Sequence, residues 1–241
     1  DIPSQEQVDA FLPPYEPRQV LDPREPVSIG AMVGPEAFME VRYLAHAKQM
    51  QALARIPELS AEFKAIFGRD SGGLMHTYRA DDAETIVVAM GSVLGTIKDT
   101  IDEMRDQGHR IGALAITSYR PFPGVQVRDV LKSARRVVVL EKSMAVGIGG
   151  ILASDIRLAL AELPVVGYAV IAGLGGRPIT RKSLRTLFES AMRDALEPLS
   201  FLDLDWTIVN KHLELERTVR RSGPAAEAIL RGLGRGASQF G

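Results

Sequence analysis

The chain has 241 residues, of which 46% are hydrophobic and 24% are charged, and its formal net charge is -1. This composition is typical of a soluble globular protein with one large domain or one domain with extensions, and it gives no sign of binding to nucleic acid or to a membrane. There is no cysteine, which excludes disulfides, thiolate-bound zinc, cysteine-bound iron–sulfur clusters and cysteine nucleophiles from these residues. No apolar run reaches the roughly 18–20 residues of a membrane span and no signal peptide is visible, so we expect a cytoplasmic location.

Residues 1–35 are rich in proline, which removes amide donors and restricts the preceding residue to extended backbone. We therefore expect an extended arm, with a short helix near Gln5–Phe11. Apolar side chains such as Tyr15 and Leu21 have no purpose in a free linker, so we expect the arm to lie along a partner surface or a neighbouring domain. Because the chain begins at Asp1 without methionine, we also expect a fragment or a processed subunit.

Residues 36–78 are interpreted as a helical connector. Apolar residues recur at helical spacing up to Phe67, where Gly68 is expected to end the helix. Pro57 is expected to break or kink this helix. The run Gly72–Arg79 can add an edge strand to the domain that follows.

The segment 79–197 alternates short β-branched runs with helical patterns, which predicts a mostly parallel α/β sheet with helices on both faces. The four predicted strands are Thr85–Met90, Arg110–Thr117, Arg136–Glu141 and Val165–Ala172. The predicted helices lie at about Val93–Gln107, Val125–Ser133, Ile151–Leu163 and Arg181–Leu196. The tail 198–241 is expected to be helical, with a break at Ser222–Pro224 and a glycine-rich end.

Two glycine-rich loops follow predicted strands at the carboxyl edge of the sheet, where open α/β sheets bind their ligands. Gly147, Gly149 and Gly150 open a helix whose amides and dipole can hold a phosphate or a carboxylate. Their spacing matches neither GxGxxG nor a Walker motif, so a tight turn packed against a neighbour is the competing interpretation. Arg177 follows the second loop, Gly173–Gly176, and can bind an anion or contact another subunit.

The loop Tyr119–Pro123 is stiffened by two prolines, which hold Arg120 at the sheet edge. Arg120 is interpreted as a contact to a partner or to a distant part of an active site, and the competing interpretation is a rigid packing loop. Ser92 is expected to cap a helix because the GxSxG pattern of a nucleophile is absent. Glu141 is expected to form an ion pair or a helix cap. No catalytic or metal-binding residue is assigned, and the histidines lack a zinc-binding spacing.

Six runs, taken together and in this order, resemble the C-terminal half of the alpha subunit of 2-oxoacid:ferredoxin oxidoreductases, the pyruvate synthase family. They are Phe11–Pro17, Phe67–Gly73, Ala89–Lys98, Ser118–Pro123, Val138–Gly150 and Ile171–Arg177. The resemblance implies a three-layer α/β/α fold with a mostly parallel five-stranded sheet, similar to the C-terminal domain of transketolase. An N-terminal extended and helical arm and a C-terminal helical tail would flank that domain.

The resemblance also implies a reaction, in which a 2-oxoacid and coenzyme A give acyl-CoA, CO2 and reduced ferredoxin or a similar acceptor. It implies thiamine diphosphate, Mg2+ and iron–sulfur clusters of the 4Fe-4S type, bound mainly by other domains or subunits. The implied partners are a thiamine-binding beta subunit and the delta and gamma subunits, of which delta bears clusters. The family's pyrimidine-binding domain would precede residue 1, so no catalytic residue is carried over, and the chain is interpreted as a supporting and subunit-contact domain.

Two departures leave the 2-oxoacid open. Ile116 and Thr117 stand where many relatives have a second arginine, and Glu141–Met144 differs from the usual residues of that loop. Pyruvate, a branched-chain 2-oxoacid or an aromatic one such as phenylglyoxylate are all compatible with the pattern. Two other functions stay open, a non-catalytic assembly domain and a stand-alone α/β module that binds a nucleotide or another anion.

Overall fold

The β-branched runs form the middle of a sheet in the computed structural model, which describes residues 2–17, 19–28, 30, 32–218, 223 and 225–234. The described strands are β1 (Met75–Tyr78), β2 (Thr85–Ala89), β3 (Ile111–Ile116), β4 (Arg136–Glu141), β5 (Val166–Ile171) and β6 (Leu199–Phe201). Their order across the sheet is β1-β3-β2-β4-β5-β6. β2 pairs in parallel with β3 and β4, β4 pairs in parallel with β5, and β1 is antiparallel to β3.

The predicted mostly parallel α/β fold is confirmed, with six described strands instead of five. The additional strand is β6, a three-residue Leu-Ser-Phe segment that was assigned to the tail. It contains no β-branched residue and is too short to show a period of two, so nothing local in the sequence marks it as a strand. The expected edge strand is present as β1 and is antiparallel to its neighbour.

Eight helices occur among the described residues. They are α1 (Gln5–Phe11), α2 (Phe38–Phe67), α3 (Val93–Arg105), α4 (Gly124–Leu131), α5 (Ile151–Ala159), α6 (Arg181–Met192), α7 (Trp206–Thr218) and α8 (Ala225–Gly232). α2 continues through Pro57, so of the two alternatives expected there, a break or a kink, the break is wrong. Strong helix formers such as alanine, leucine, glutamate and arginine flank Pro57 on both sides, and they sustain the helix past the lost hydrogen bond. α2 ends at Gly68, whose φ is 66°, as predicted.

The core lies between the sheet and two helical layers. β2, β3 and β4 are buried at every position, as expected for strands covered on both faces. α3 packs against α6, and α4 packs against α5, which gives the layered arrangement helix, sheet, helix. Phe188 of α6 and Ile156 of α5 are among the fully buried side chains. This architecture fixes the ends of the strands, from which the loops of the candidate site project.

The chain divides into two compact units, residues 1–200 and 201–241. The described part of the second unit contains α7 and α8, as the helical prediction for the tail requires. Of the predicted break at residues 222–224 only Gly223 is described, and the glycine-rich end beyond Gly234 lies outside the described residues. No helix in the described part of the chain has the length and apolarity needed to cross a membrane.

Candidate functional site

The winding of the sheet reverses between β2 and β4. The chain passes from β2 to β3 on one side and then returns to place β4 on the other side of β2. Open α/β sheets bind ligands in the crevice outside the carboxyl ends of the strands at such a point. A cavity of about 280 Å³ lies there, and its lining includes Met90 and Val93 after β2 and Leu140 at the end of β4. We call it the carboxyl-edge crevice.

Glu141 occupies the N-terminus of α5 at the wall of this crevice. Its Oε2 accepts hydrogen bonds of 2.9 Å from the amides of Ile151 and Leu152, and its Oε1 accepts one of 3.0 Å from the amide of Ala153. The Ser143 hydroxyl donates to Oε2 over 3.1 Å. Only 6% of Glu141 is exposed. The carboxylate therefore takes the position that an external anion would occupy at a helix N-terminus, and Glu141 is the helix cap that was one expectation for it.

Of the three glycines of the first loop, Gly150 lies against this carboxylate and Gly149 lies against another side chain, while a Cβ added at Gly147 would have no atom within 4 Å. A Cβ added at Gly150 would overlap the Glu141 carboxylate, and one added at Gly149 would lie 3.2 Å from the side chain of Leu199. The amides and carbonyls of Ala145 and Gly149 exchange two hydrogen bonds of 2.8 Å, which close a small hairpin. These contacts correspond to the interpretation of a tight turn packed against a neighbour.

Arg120 is held against the ring of Tyr119 by Asp155. The guanidinium carbon lies 4.1 Å from the ring centroid, and Nη2 lies 2.9 Å from Asp155 Oδ2. The Tyr119 hydroxyl donates to the same carboxylate oxygen over 2.7 Å. Burial and this hydrogen bond raise the pKa of Tyr119. Desolvation lowers the pKa of Arg120, but the hydrogen bond and charge of Asp155 outweigh it and raise that pKa overall. Asp155 was missed by sequence reasoning because it meets this loop only through the fold.

Tyr119, Glu141 and Ser143 line the crevice together, while Arg177 does not. Arg177 is exposed and follows the 3-10 turn Leu174–Gly176 after β5. The two glycine-rich loops still lie close to each other, since a Cβ added at Gly173 would lie 3.1 Å from Cε of Lys142. The Lys142 side chain therefore extends from the crevice to the second loop.

The expectation that Ser92 caps α3 is wrong. Ser92 precedes α3, but its side chain makes no capping hydrogen bond. Its backbone is already helical, with φ -65° and ψ -20°, whereas a capping side chain reaches the following amides from an extended backbone.

The described residues do not fit a thiamine diphosphate site or an iron–sulfur cluster. The sequence has no cysteine to bind a cluster. Over the ranges that the structure describes, no group of three or more histidine, aspartate or glutamate side chains is placed to hold a metal ion. The helix terminus that a diphosphate would use at the crevice already binds Glu141. We therefore assign no cofactor chemistry to these residues.

Residues 83–184 match the family model for pyruvate:ferredoxin oxidoreductase core domain II. Over this segment the chain is similar to core domain II of that family. The matched range runs from just before β2 into α6, so it contains the carboxyl-edge crevice, Glu141 and the Tyr119–Pro123 loop.

The chain is similar to curated proteins that are named as subunits of oxidoreductases. The chain is 39% identical over 209 residues to the pyruvate synthase subunit PorA of Methanosarcina barkeri, which covers 83% of this chain and 52% of that protein. It is 43% identical over 180 residues to PorA of Methanothermobacter thermautotrophicus, with 75% and 46% covered. It is 32% identical over 188 residues to the ketoisovalerate oxidoreductase subunit VorA of Pyrococcus horikoshii, with 77% and 48% covered. The resemblance to the pyruvate synthase family is confirmed, and the chain spans about half the length of the curated relatives it matches.

Solved structures resemble the chain at a lower level. A 2-oxoglutarate:ferredoxin oxidoreductase from Magnetococcus marinus aligns with a TM-score of 0.42 and 17% identity, over 54% of this chain and 21% of that one. A split-gene transketolase aligns with a TM-score of 0.39 and 17% identity, over 49% and 41%.

Proposed function

We propose that this chain is part of a thiamine-diphosphate-dependent 2-oxoacid:ferredoxin oxidoreductase complex. Such a complex converts a 2-oxoacid and coenzyme A to acyl-CoA and CO2, with electrons passed to ferredoxin or a similar acceptor. The observation that carries the proposal is the match of residues 83–184 to the model for core domain II. It is supported by relatives named as subunits of pyruvate synthase and ketoisovalerate oxidoreductase. Because the chain spans about half of those relatives, the activity belongs to the assembled enzyme.

Within that complex the chain acts as a supporting and subunit-contact domain. The hairpin that closes at Ala145 and Gly149 supports this role, because its Val146 and Ile148 side chains are 87% and 73% exposed on a hydrogen-bonded turn. Exposed apolar side chains grouped on an ordered surface are typical of protein contacts. Arg120, which is held by Asp155, and Arg177, which is exposed after the turn Leu174–Gly176, are the proposed polar contacts of the same edge.

Helix α2 supports a contact role for the connector as well. None of its 30 residues is buried, and Phe38, Tyr43 and Leu44 are 55%, 68% and 62% exposed. The division into an arm (1–35), a connector (36–78), a core (79–197) and a tail (198–241) stays a proposal, as does the cytoplasmic location.

The cofactors of the proposed complex are thiamine diphosphate, Mg2+ and iron–sulfur clusters, with coenzyme A as co-substrate. We propose that other polypeptide binds them, in the beta, gamma and delta subunits or in further domains. Two observations support the proposal that other polypeptide binds the cofactors. The sequence has no cysteine to bind a cluster, and the first amides of α5 already donate to the Glu141 carboxylate.

The experiment that tests the proposal is purification of the complex through a tag on this chain. We expect co-purified thiamine diphosphate and iron, and reduction of a low-potential dye that depends on coenzyme A. Pyruvate, 2-oxoisovalerate and phenylglyoxylate would be compared to identify the 2-oxoacid. A complex that lacks thiamine diphosphate and reduces no dye with any 2-oxoacid would contradict the proposal.

The alternative of a stand-alone nucleotide or anion-binding module predicts that the isolated chain binds ATP, coenzyme A or NAD at its glycine-rich loop. The amides of Ile151, Leu152 and Ala153 already bind Glu141, so we expect no binding there. Calorimetry of the wild-type chain with these three compounds decides between the two proposals, because submillimolar binding that Gly149→Ala removes would favour the module.

A further inference from the structure

A second cavity, of about 270 Å³, lies at the opposite edge of the sheet, where β2, β3 and β4 begin. We call it the amino-edge cavity. Three arginines line it, Arg110 just before β3 and Arg135 and Arg136 at the start of β4. Glu84 and His109 also line it. No part of the carboxyl-edge crevice contributes to this lining, so the cavity is a separate feature of the same domain.

Arg136 is the fixed group of the amino-edge cavity. It is 5% exposed, and it holds Asp194 through Nε and through Nη2, the latter over 2.7 Å. The hydrogen bond from Arg136 lowers the pKa of Asp194 to about 2, so this pair is charged at any physiological pH. Arg136 Nη1 makes no hydrogen bond to any residue that the structure describes. A buried guanidinium with an unused donor thus lines a concave site.

The two other arginines are anchored but accessible. Arg110 Nη1 lies 2.8 Å from Glu84 and its Nε donates to a backbone carbonyl over 2.9 Å. Arg135 Nη2 lies 3.0 Å from Asp194. The two arginine side chains are 57% and 63% exposed. The three guanidinium groups pair with two carboxylates, Glu84 and Asp194, of which only Glu84 lines the cavity. The lining therefore has a surplus of positive charge in a chain whose net charge is -1.

We propose that the amino-edge cavity binds a small oxyanion with the chemistry of inorganic phosphate or a phosphate monoester. Guanidinium groups donate paired, charge-assisted hydrogen bonds to phosphate oxygens, and they gain most where the partners are already fixed in place. Arg136 is fixed by Asp194, and Arg110 and Arg135 lie at the same opening with donors exposed to solvent. The opposing role, in which these arginines only stabilise the fold through their ion pairs with Glu84 and Asp194, predicts no affinity for phosphate.

The test uses the full 241-residue chain and isothermal titration calorimetry at low ionic strength, where charge interactions are least screened. We expect inorganic phosphate to bind the wild-type chain. The double variant Arg110→Gln/Arg135→Gln removes two charged donors and should weaken binding at least about tenfold. Arg181→Gln is the matched control, since Arg181 is 58% exposed and pairs with Glu103, and neither residue lines the amino-edge cavity. Its affinity for phosphate should equal that of the wild type.

A third variant changes affinity in the opposite direction. Glu84→Gln removes the carboxylate that competes for Arg110, so phosphate should bind about threefold more tightly. A structural role alone predicts no such gain, and this variant decides the question if the double variant does not fold. AMP in place of phosphate separates the two sources, because tighter binding of AMP identifies a phosphate monoester and equal or weaker binding identifies the free ion.

Wild-type affinity that is undetectable, or that the double variant and Glu84→Gln leave unchanged, would overturn the proposal. None of these measurements depends on the oxidoreductase activity, so their outcome is independent of the function proposed above.

Discussion

The two edges of the sheet differ in how their charged groups are paired. At the carboxyl edge, Glu141 accepts hydrogen bonds from the first amides of α5, and its carboxylate is buried. At the amino edge the chain places three arginines around two carboxylates, and two of the arginines stay accessible. The helix terminus at the carboxyl edge therefore already has its anion, whereas the amino edge retains a surplus of positive charge.

This difference reverses the usual expectation for an open α/β sheet. Ligands normally bind at the carboxyl edge, where helix N-termini and glycine-rich loops meet. Here the glycine-rich loop contains a carboxylate of the chain itself, and its exposed Val146 and Ile148 suit a protein contact. The capacity to bind a small anion lies instead at the edge where strands begin. A glycine-rich loop therefore indicates anion binding only if no acidic side chain of the same chain reaches its amides.

Loss of the internal carboxylate should have the largest effect on stability. Glu141→Ala leaves three amides at the start of α5 without their acceptor in a buried position. We expect a loss of about 2–4 kcal/mol in the free energy of unfolding, measured by urea denaturation with circular dichroism. Glu141→Gln keeps one acceptor oxygen and should lose less.

The control for this prediction is Glu197→Ala, at an exposed glutamate, which should change stability by less than about 0.5 kcal/mol. Added phosphate should partly restore the stability of Glu141→Ala, because the freed amides become an anion site. Equal stability of Glu141→Ala and the wild type would show that the carboxyl edge does not depend on its internal carboxylate.

The close fit around Glu141 can be tested from the backbone side. Gly150→Ala introduces a Cβ that overlaps the Glu141 carboxylate, and we expect a loss of about 1–3 kcal/mol. Gly95→Ala, inside α3 with no atom within 4 Å of the added Cβ, should be neutral or stabilising by up to about 1 kcal/mol. Thermal unfolding of both variants gives the comparison, and a destabilised Gly95→Ala would show that the loss at Gly150 is not specific to the crevice.

The sequence patterns predicted some elements of the fold and missed others. β4 was predicted with its observed bounds, Arg136–Glu141, because an unbroken β-branched run is a local signal. α1 was also predicted from local residues, over Gln5–Phe11. β6 was not, since its three residues become a strand only through the sheet.

The candidate sites were predictable only where the signal was local. Glu141 lies at the end of a strand before a helix, so a cap could be expected. Asp155 meets Tyr119 across 36 residues of sequence. The convergence of Arg110 with Arg136 requires β3 and β4 to start at the same edge of the sheet, on either side of β2. No period or motif encodes such contacts. They follow from the sheet order, which the sequence alone left open.

A smaller effect is expected from the loop that borders the crevice. Tyr119→Phe keeps the ring under Arg120 but removes the 2.7 Å hydrogen bond to Asp155. We expect a loss of about 1 kcal/mol in unfolding free energy. Tyr15→Phe, at an 88% exposed ring in the arm, is the control and should show no change. If both variants are equally stable, the Tyr119 hydrogen bond to Asp155 does not contribute to holding this loop at the carboxyl edge.

The last prediction concerns the dependence of stability on pH at the amino edge, where Asp194 pairs with two arginines. The pKa of Asp194 is lowered from 3.8 to about 2, chiefly by the hydrogen bond from Arg136. As the pH falls, the unfolded chain therefore takes up this proton before the folded chain does. The contribution of the pair to stability is fully present above pH 3.8 and is lost as the pH falls toward 2.

Asp194→Asn should be less stable than the wild type at pH 7 and should lose less stability between these pH values. Asp81→Asn, at an exposed aspartate, should keep the wild-type slope. Parallel curves for Asp194→Asn and the wild type would show that the arginines of the amino edge do not depend on this carboxylate.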